Sequence, residues 1–143
     1  MVHALKEAQR VLTPGGLLVD LRPLLDRWPV EVASSAEQHE VGRCTDLVEP
    51  LADDAAANAT MADAIESGQW GRDLQETFPL FYYWDTPDEM REYVDEDWSD
   101  VITIEEPLWH ALRSAWATAD PETRVRLRMK MQITRYRQIT AVT

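Results

Sequence analysis

The start of the chain constrains the fold most, because a helical stripe there runs into a tight turn and out into an apolar run. Leu5, Ala8 and Leu12, with Ala4 and Val11 beside them, share one side of a helix, while Lys6, Glu7 and Arg10 lie off it. Thr13-Pro14-Gly15-Gly16 follows. Proline at fixed φ and glycine at positive φ suit a type II turn, so the helix stops and the chain reverses there. Leu17-Leu18-Val19-Asp20-Leu21 then reads as a strand, and its nearly continuous apolar character suits a parallel strand covered on both faces inside a sheet. No Ser, Thr, Asp or Asn precedes the helix to cap it, so a segment upstream of Met1 is expected.

The rest of the chain alternates between strands and helices. Val30-Glu31-Val32 and Val41–Cys44, either side of a polar stretch, read as a short hairpin, with insertion as one explanation. From Leu51 to Ser67 an alanine-rich helix carries Leu51, Ala55, Ala59, Ala62 and Ile65 in register, and Gly68 stops it. Residues 76–84 read as a strand that Pro79 pushes towards an edge or a bulge. Thr86-Pro87-Asp88-Glu89 is a capping box that opens a helix bearing Met90, Tyr93, Val94 and Trp98. A short strand at 101–104 leads to a helix from Pro107 with Leu108, Leu112, Ala115, Trp116 and Ala119 on one face. Val125, Leu127, Met129, Met131 and Ile133 alternate with Arg126, Arg128, Lys130, Gln132 and Thr134, which gives a one-sided strand. No repeat or linker divides the sequence, so residues 1–143 are expected to form a single domain.

Residues 4–20, with Glu7-Ala8-Gln9-Arg10-Val11-Leu12-Thr13-Pro14-Gly15-Gly16 at their centre, resemble the helix, turn and fifth strand of class I S-adenosylmethionine-dependent methyltransferases. That family's usual wording is close to E-A-x-R-V-L-x-P-G-G. The later order of strand, helices and strand is similar to the fold's closing pair, in which the last strand inserts antiparallel beside the fifth. The resemblance therefore implies an α/β chain with a partial Rossmann-like methyltransferase fold: a mixed sheet with antiparallel closing strands and flanking helices.

The family's acidic Gly-x-Gly loop and its ribose-binding acid have no counterpart here. Gly15-Gly16 sits between a helix and a strand, whereas a cofactor loop follows a strand and opens a helix. No cofactor-binding residue carries over. The resemblance implies a truncated methyltransferase-like chain, not catalytically competent alone, that binds S-adenosylmethionine only if an N-terminal half is supplied. The alternative is a non-catalytic dimerisation or protein-interaction module on the same fold.

Ligands of open α/β sheets sit beyond the carboxyl ends of the strands, which makes Asp20 and Arg22 the substrate-side candidates. The competing reading is that Arg22 pairs with Asp20 or Asp26 to hold the loop. Tyr83, in the run Tyr82-Tyr83-Trp84, is a third candidate as a pocket wall, and core packing is the plainer reading for Tyr82 and Trp84. His3, His39 and His110 lie apart from any other metal-ligating residue, so no metal is expected. Asp95-Glu96-Asp97 and Glu105-Glu106 read as solvated faces rather than as acid and base.

Charge narrows the partners. A formal charge of −12 repels nucleic acid and anionic membrane, although the last 20 residues hold Arg124, Arg126, Arg128, Lys130, Arg135 and Arg137 and no acid. That basic face is expected to meet solvent or acids such as Glu76 rather than RNA, since no aromatic interrupts its Arg-Lys run. Cys44 is the single cysteine, so no internal disulfide forms, and without a signal peptide or a bilayer-spanning run a cytoplasmic protein is expected. The family's fourth strand is missing, so the strand at 17–21 should expose an edge. The chain is therefore expected to be a homodimer or to need a missing N-terminal half, unless the hairpin at 30–44 folds back over that edge.

Overall fold

A computed structural model describes residues 2–139. In chain order the elements are α1 (Val2–Val11), β1 (Leu17–Leu24), β2 (Pro29–Ala33), β3 (Gln38–Arg43), β4 (Thr45–Asp46), α2 (Val48–Glu66), β5 (Trp70–Trp84), α3 (Pro87–Asp97), β6 (Ile102–Thr103), α4 (Glu106–Ala117) and β7 (Arg124–Gln138). The protein is mixed α/β, and its main sheet is antiparallel and open. Backbone packing divides it into two compact units, the first built from the segments ending at Leu24, running Ala52–Phe78 and starting at Met131, the second from Leu25–Leu51 and Pro79–Lys130.

In the first unit, Gly16 N donates to Thr13 O at 2.8 Å, and Gly15 takes the positive φ of 75° that the turn requires. The chain emerges as β1, whose neighbour is β7: Gln138 N donates to Gly16 O at 2.9 Å. On the other side of β7 lies β5. Ile139 N meets Gln69 O at 3.0 Å, and Gln75 meets Gln132 at 2.8 Å, so one strand descends as the other rises. Met61, Ala64, Trp70 and Tyr136 form the core of this unit, with Leu5, Ala8, Leu12, Leu18 and Ile65 packed against it. The stripe expected on α1 is the one used. On α2 the covered residues are Met61 and Ala64, while Leu51 is exposed.

The parallel, doubly covered reading of residues 17–21 is corrected. Along β1 cover alternates: Leu18, Asp20, Arg22 and Leu24 are half-buried, whereas Leu17, Val19 and Leu21 are 44%, 56% and 56% exposed. An unbroken apolar run therefore does not mark two covered faces here. In an antiparallel ladder the amides of alternate residues point to opposite sides. Gly16 faces β7, so Leu17, Val19 and Leu21 turn their N–H and C=O groups to the free side. Pro23, which has no N–H, falls on that free side too.

In the second unit, β2 and β3 form the expected hairpin, with Pro29 opposite Arg43, Ala33 opposite Gln38, and a bulge between Val30 and Glu31. The other side of β2 pairs with β7, Val30 opposite Leu127 and Ala33 opposite Arg124. The hairpin thus takes β7 as its partner. Trp28, Val30, Met90, Trp109, Leu112 and Leu127 are buried in this core. Thr86 caps α3 as read, with Glu89 N donating to Thr86 Oγ1 at 3.2 Å, while the Glu89 carboxylate reaches one residue further back and accepts from Asp85 N at 3.0 Å. Gly42 permits the close seating of α4, since a Cβ there would lie 2.6 Å from Leu108 Cδ1.

Candidate functional site

Asp20 and Arg22 stand two residues apart on one face of β1, so their side chains emerge side by side. Arg22 Nε lies 3.3 Å from Asp20 Oδ2, and both side chains are largely covered, at 13% and 21% exposure. The two charges pair without a hydrogen bond, leaving Asp20 Oδ2 and Arg22 Nε and Nη1 buried and unbonded. Arg22 Nη2 is the bonded end, donating to Asn58 Oδ1 on α2 at 2.6 Å. Of the two acids available to Arg22 in sequence, Asp20 is the partner, because Asp26 holds Lys130 at 2.9 Å.

Arg22 also lines an open cleft of about 460 Å³ in the first unit. Asn58, Met61 and Ile65 of α2, Arg72 of β5 and Tyr136 of β7 share the wall. One end of Arg22 thus pairs with Asp20, while the side chain also lines this space. Asn58, Arg72 and Tyr136 carried no local signal, because each becomes a neighbour of Arg22 only when β5, β7 and α2 assemble around β1.

Tyr83 does not join them. It belongs to the second unit, where its hydroxyl accepts from Arg126 Nη1 at 3.0 Å and its ring lies 6.2 Å from that of Phe81. Arg126 is the hub of this cluster. It donates to Glu31 Oε2 and Gln38 Oε1, both at 2.5 Å, and stacks 4.5 Å from the centre of the Phe81 ring. Burial tends to lower the Arg126 pKa, but the bonds to Tyr83 and Glu31 outweigh it and hold the guanidinium above its ordinary value. Tyr82 and Trp84 pack with Tyr93 and Trp98, the Tyr82 ring 4.8 Å from that of Trp98 and nearly perpendicular to it.

The basic face of β7 is matched to acids across the sheet. Arg124 pairs with Asp85 at 2.8 Å, Arg128 with Glu31 at 3.0 Å, and Arg137 with Asp73 at 3.0 Å; no ion pair among the described residues involves Glu76. Cys44 is fully buried, and burial pushes its thiol up to about 12. The Arg91 guanidinium, hydrogen-bonded to Glu106, holds that carboxylate below its usual range. Among the described residues no three His, Cys, Asp or Glu side chains are grouped as a metal site, and no helix is long and apolar enough to cross a membrane.

No family model, curated protein or solved structure matches this chain. The arrangement of its own residues must carry the functional argument. The first unit offers an open cleft beside a half-buried Asp-Arg pair, and the second offers a satisfied polar cluster on a helix-backed sheet.

Proposed function

We propose that the chain is the closing half of an S-adenosylmethionine-dependent methyltransferase fold, contributing the acceptor side of the enzyme and not the cofactor site. The observation that carries this reading is the strand order of the first unit, in which β7 lies antiparallel between β1 and β5. That is the order expected of the family's fifth, seventh and sixth strands. α1 and α2 flank β1 in sequence as the family's fourth and fifth helices flank its fifth strand, and β1 turns unbonded amides towards the place of the fourth strand. On this reading Asp20 and Arg22 are acceptor-side residues.

Calorimetry with S-adenosylmethionine tests it. This chain alone should bind no cofactor, and the chain expressed together with the coding sequence upstream of Met1 should bind it with a micromolar dissociation constant. Micromolar binding by this chain alone would overturn the assignment, and so would silence from the longer one.

A second reading, a dimerisation module, is favoured by one feature of the same edge. Antiparallel self-pairing about a two-fold axis at Val19 sets Leu17 opposite Leu21 of a second copy. It uses the free amides of Leu17, Val19 and Leu21 and keeps Pro23 out of the ladder.

A further inference from the structure

Hydrogen-bond polarity in the first unit's cleft is set by its arginines, which can only donate. Arg72 Nη1 donates to Gln75 Oε1 at 2.7 Å. The far end of Gln75 must then be its amide nitrogen, which donates to Gln132 Oε1 at 2.8 Å. The relay leaves Gln132 Nε2 as a donor with no hydrogen bond among the described residues, on a residue only 8% exposed that lines the cleft. Arg22 imposes the same order on Asn58: its Nη2 takes Oδ1, so Nδ2 remains a free donor. The hydroxyl of Tyr136, a residue 4% exposed, likewise makes no hydrogen bond among the described residues.

The wall is thus rich in donors and poor in acceptors, with Glu66 the one carboxylate among its lining residues. Arg72 has no ion-pair partner among the described residues, unlike the arginines of β7. Met61 and Ile65 give the cleft an apolar floor. Donors that line a cleft without acceptors to match them favour a ligand that brings acceptors.

We propose that this cleft binds a small organic carboxylate with an apolar body, its oxygens taken by Arg72, Gln132 Nε2 and Asn58 Nδ2 and its body laid on Met61 and Ile65. Two oxygens on one carbon match a guanidinium, and a volume of about 460 Å³ accommodates a ring or short alkyl chain beside them. The proposal does not depend on the methyltransferase reading, since it needs neither the cofactor nor an upstream half.

The test uses the full chain without S-adenosylmethionine, titrated with phenylacetate and followed by nitrogen-edited NMR and calorimetry. Phenylacetamide serves as the neutral counterpart, and inorganic phosphate as an anion without an apolar body. Phenylacetate should shift the signals of Asn58, Ile65 and Gln132 and bind about tenfold more tightly than the amide or phosphate. Arg72→Gln should abolish that preference; Arg72 is exposed, so the variant should fold, which its unchanged remaining spectrum would show. Equal affinity for acid and amide, equal affinity for phosphate, shifts confined to other regions, no shift at all, or an undiminished preference in Arg72→Gln would each overturn the proposal.

Discussion

Glu31 and Arg126 face each other across β2 and β7, with Nε 2.5 Å from Oε2 and the side chains only 6% and 9% exposed. The second oxygen of Glu31 accepts from Arg128 at 3.0 Å, so one carboxylate serves two guanidiniums. Removing one partner of a buried pair strands the other charge, at a cost of about 3–5 kcal/mol. Glu31→Gln should therefore lower the unfolding free energy by an amount in that range, read as a lower urea midpoint with the slope unchanged. The double variant Glu31→Leu with Arg126→Met should recover much of the loss, because it removes both buried charges while Arg128, 39% exposed, keeps Glu40 at 3.6 Å. A double variant as unstable as the single one would show that packing, not charge, holds the site.

Cys44 offers a pH test. Its thiol ionises at about 12 in the folded chain against an ordinary 9.0, and burial is the largest cause. An acid whose folded pKa is raised keeps its proton longer in the folded state. Its contribution to stability is thus full below pH 9.0 and is lost as pH climbs from there towards about 12. A thiol reagent at pH 8 should leave the native protein unmodified and label it fully in denaturant. Rapid labelling of the native protein would place Cys44 nearer the surface than its full burial implies.

The free edge of β1 separates the two functional readings. Under the dimer reading, light scattering coupled to gel filtration gives the mass of two chains, and Val19→Lys, which puts a charge on the axis, gives one. Val19→Cys should form a disulfide across the axis, since residues in a hydrogen-bonded antiparallel pair lie about 5.5 Å apart, within disulfide range. The buried Cys44 would not compete. A wild-type mass of one chain at every concentration would discard the dimer reading for this chain.

Local chemistry was legible wherever the backbone decides it. The Thr13–Gly16 turn and the Thr86 cap each rest on a few adjacent residues and formed as read, whereas the one-sided alternation of β7 did not: Arg126, Gln132 and Thr134 are buried and Ile133 is half-buried. Burial was less legible. Leu17-Leu18-Val19 has the composition of a doubly covered strand, but nothing within it says whether both sides will find a neighbour. β5 begins at Trp70, ahead of the expected residue 76, because pairing with β7 carries Gly71 and Asp73 into a ladder that propensity alone would not extend. Trp109, fully buried on α4, was overlooked in favour of Leu108 and Trp116. No linker marks the two units because their boundaries fall inside α2, β5 and β7 and at the end of β1 rather than in a polar stretch. Of the site, Asp20 and Arg22 were within reach because they share one strand face, whereas Asn58, Arg72 and Tyr136 meet Arg22 only through the order of the strands.

Pro23 acts as a ruler on the exposed side of β1. Only Leu17, Val19 and Leu21 present full sets of backbone groups there before a residue without an amide hydrogen breaks the row. Whatever strand is laid against this edge can therefore gain only a short ladder, which limits run-on stacking into fibrils as well as the reach of a legitimate neighbour. Replacing Pro23 by threonine would lengthen the row, and the gain in pairing would come with a gain in promiscuity.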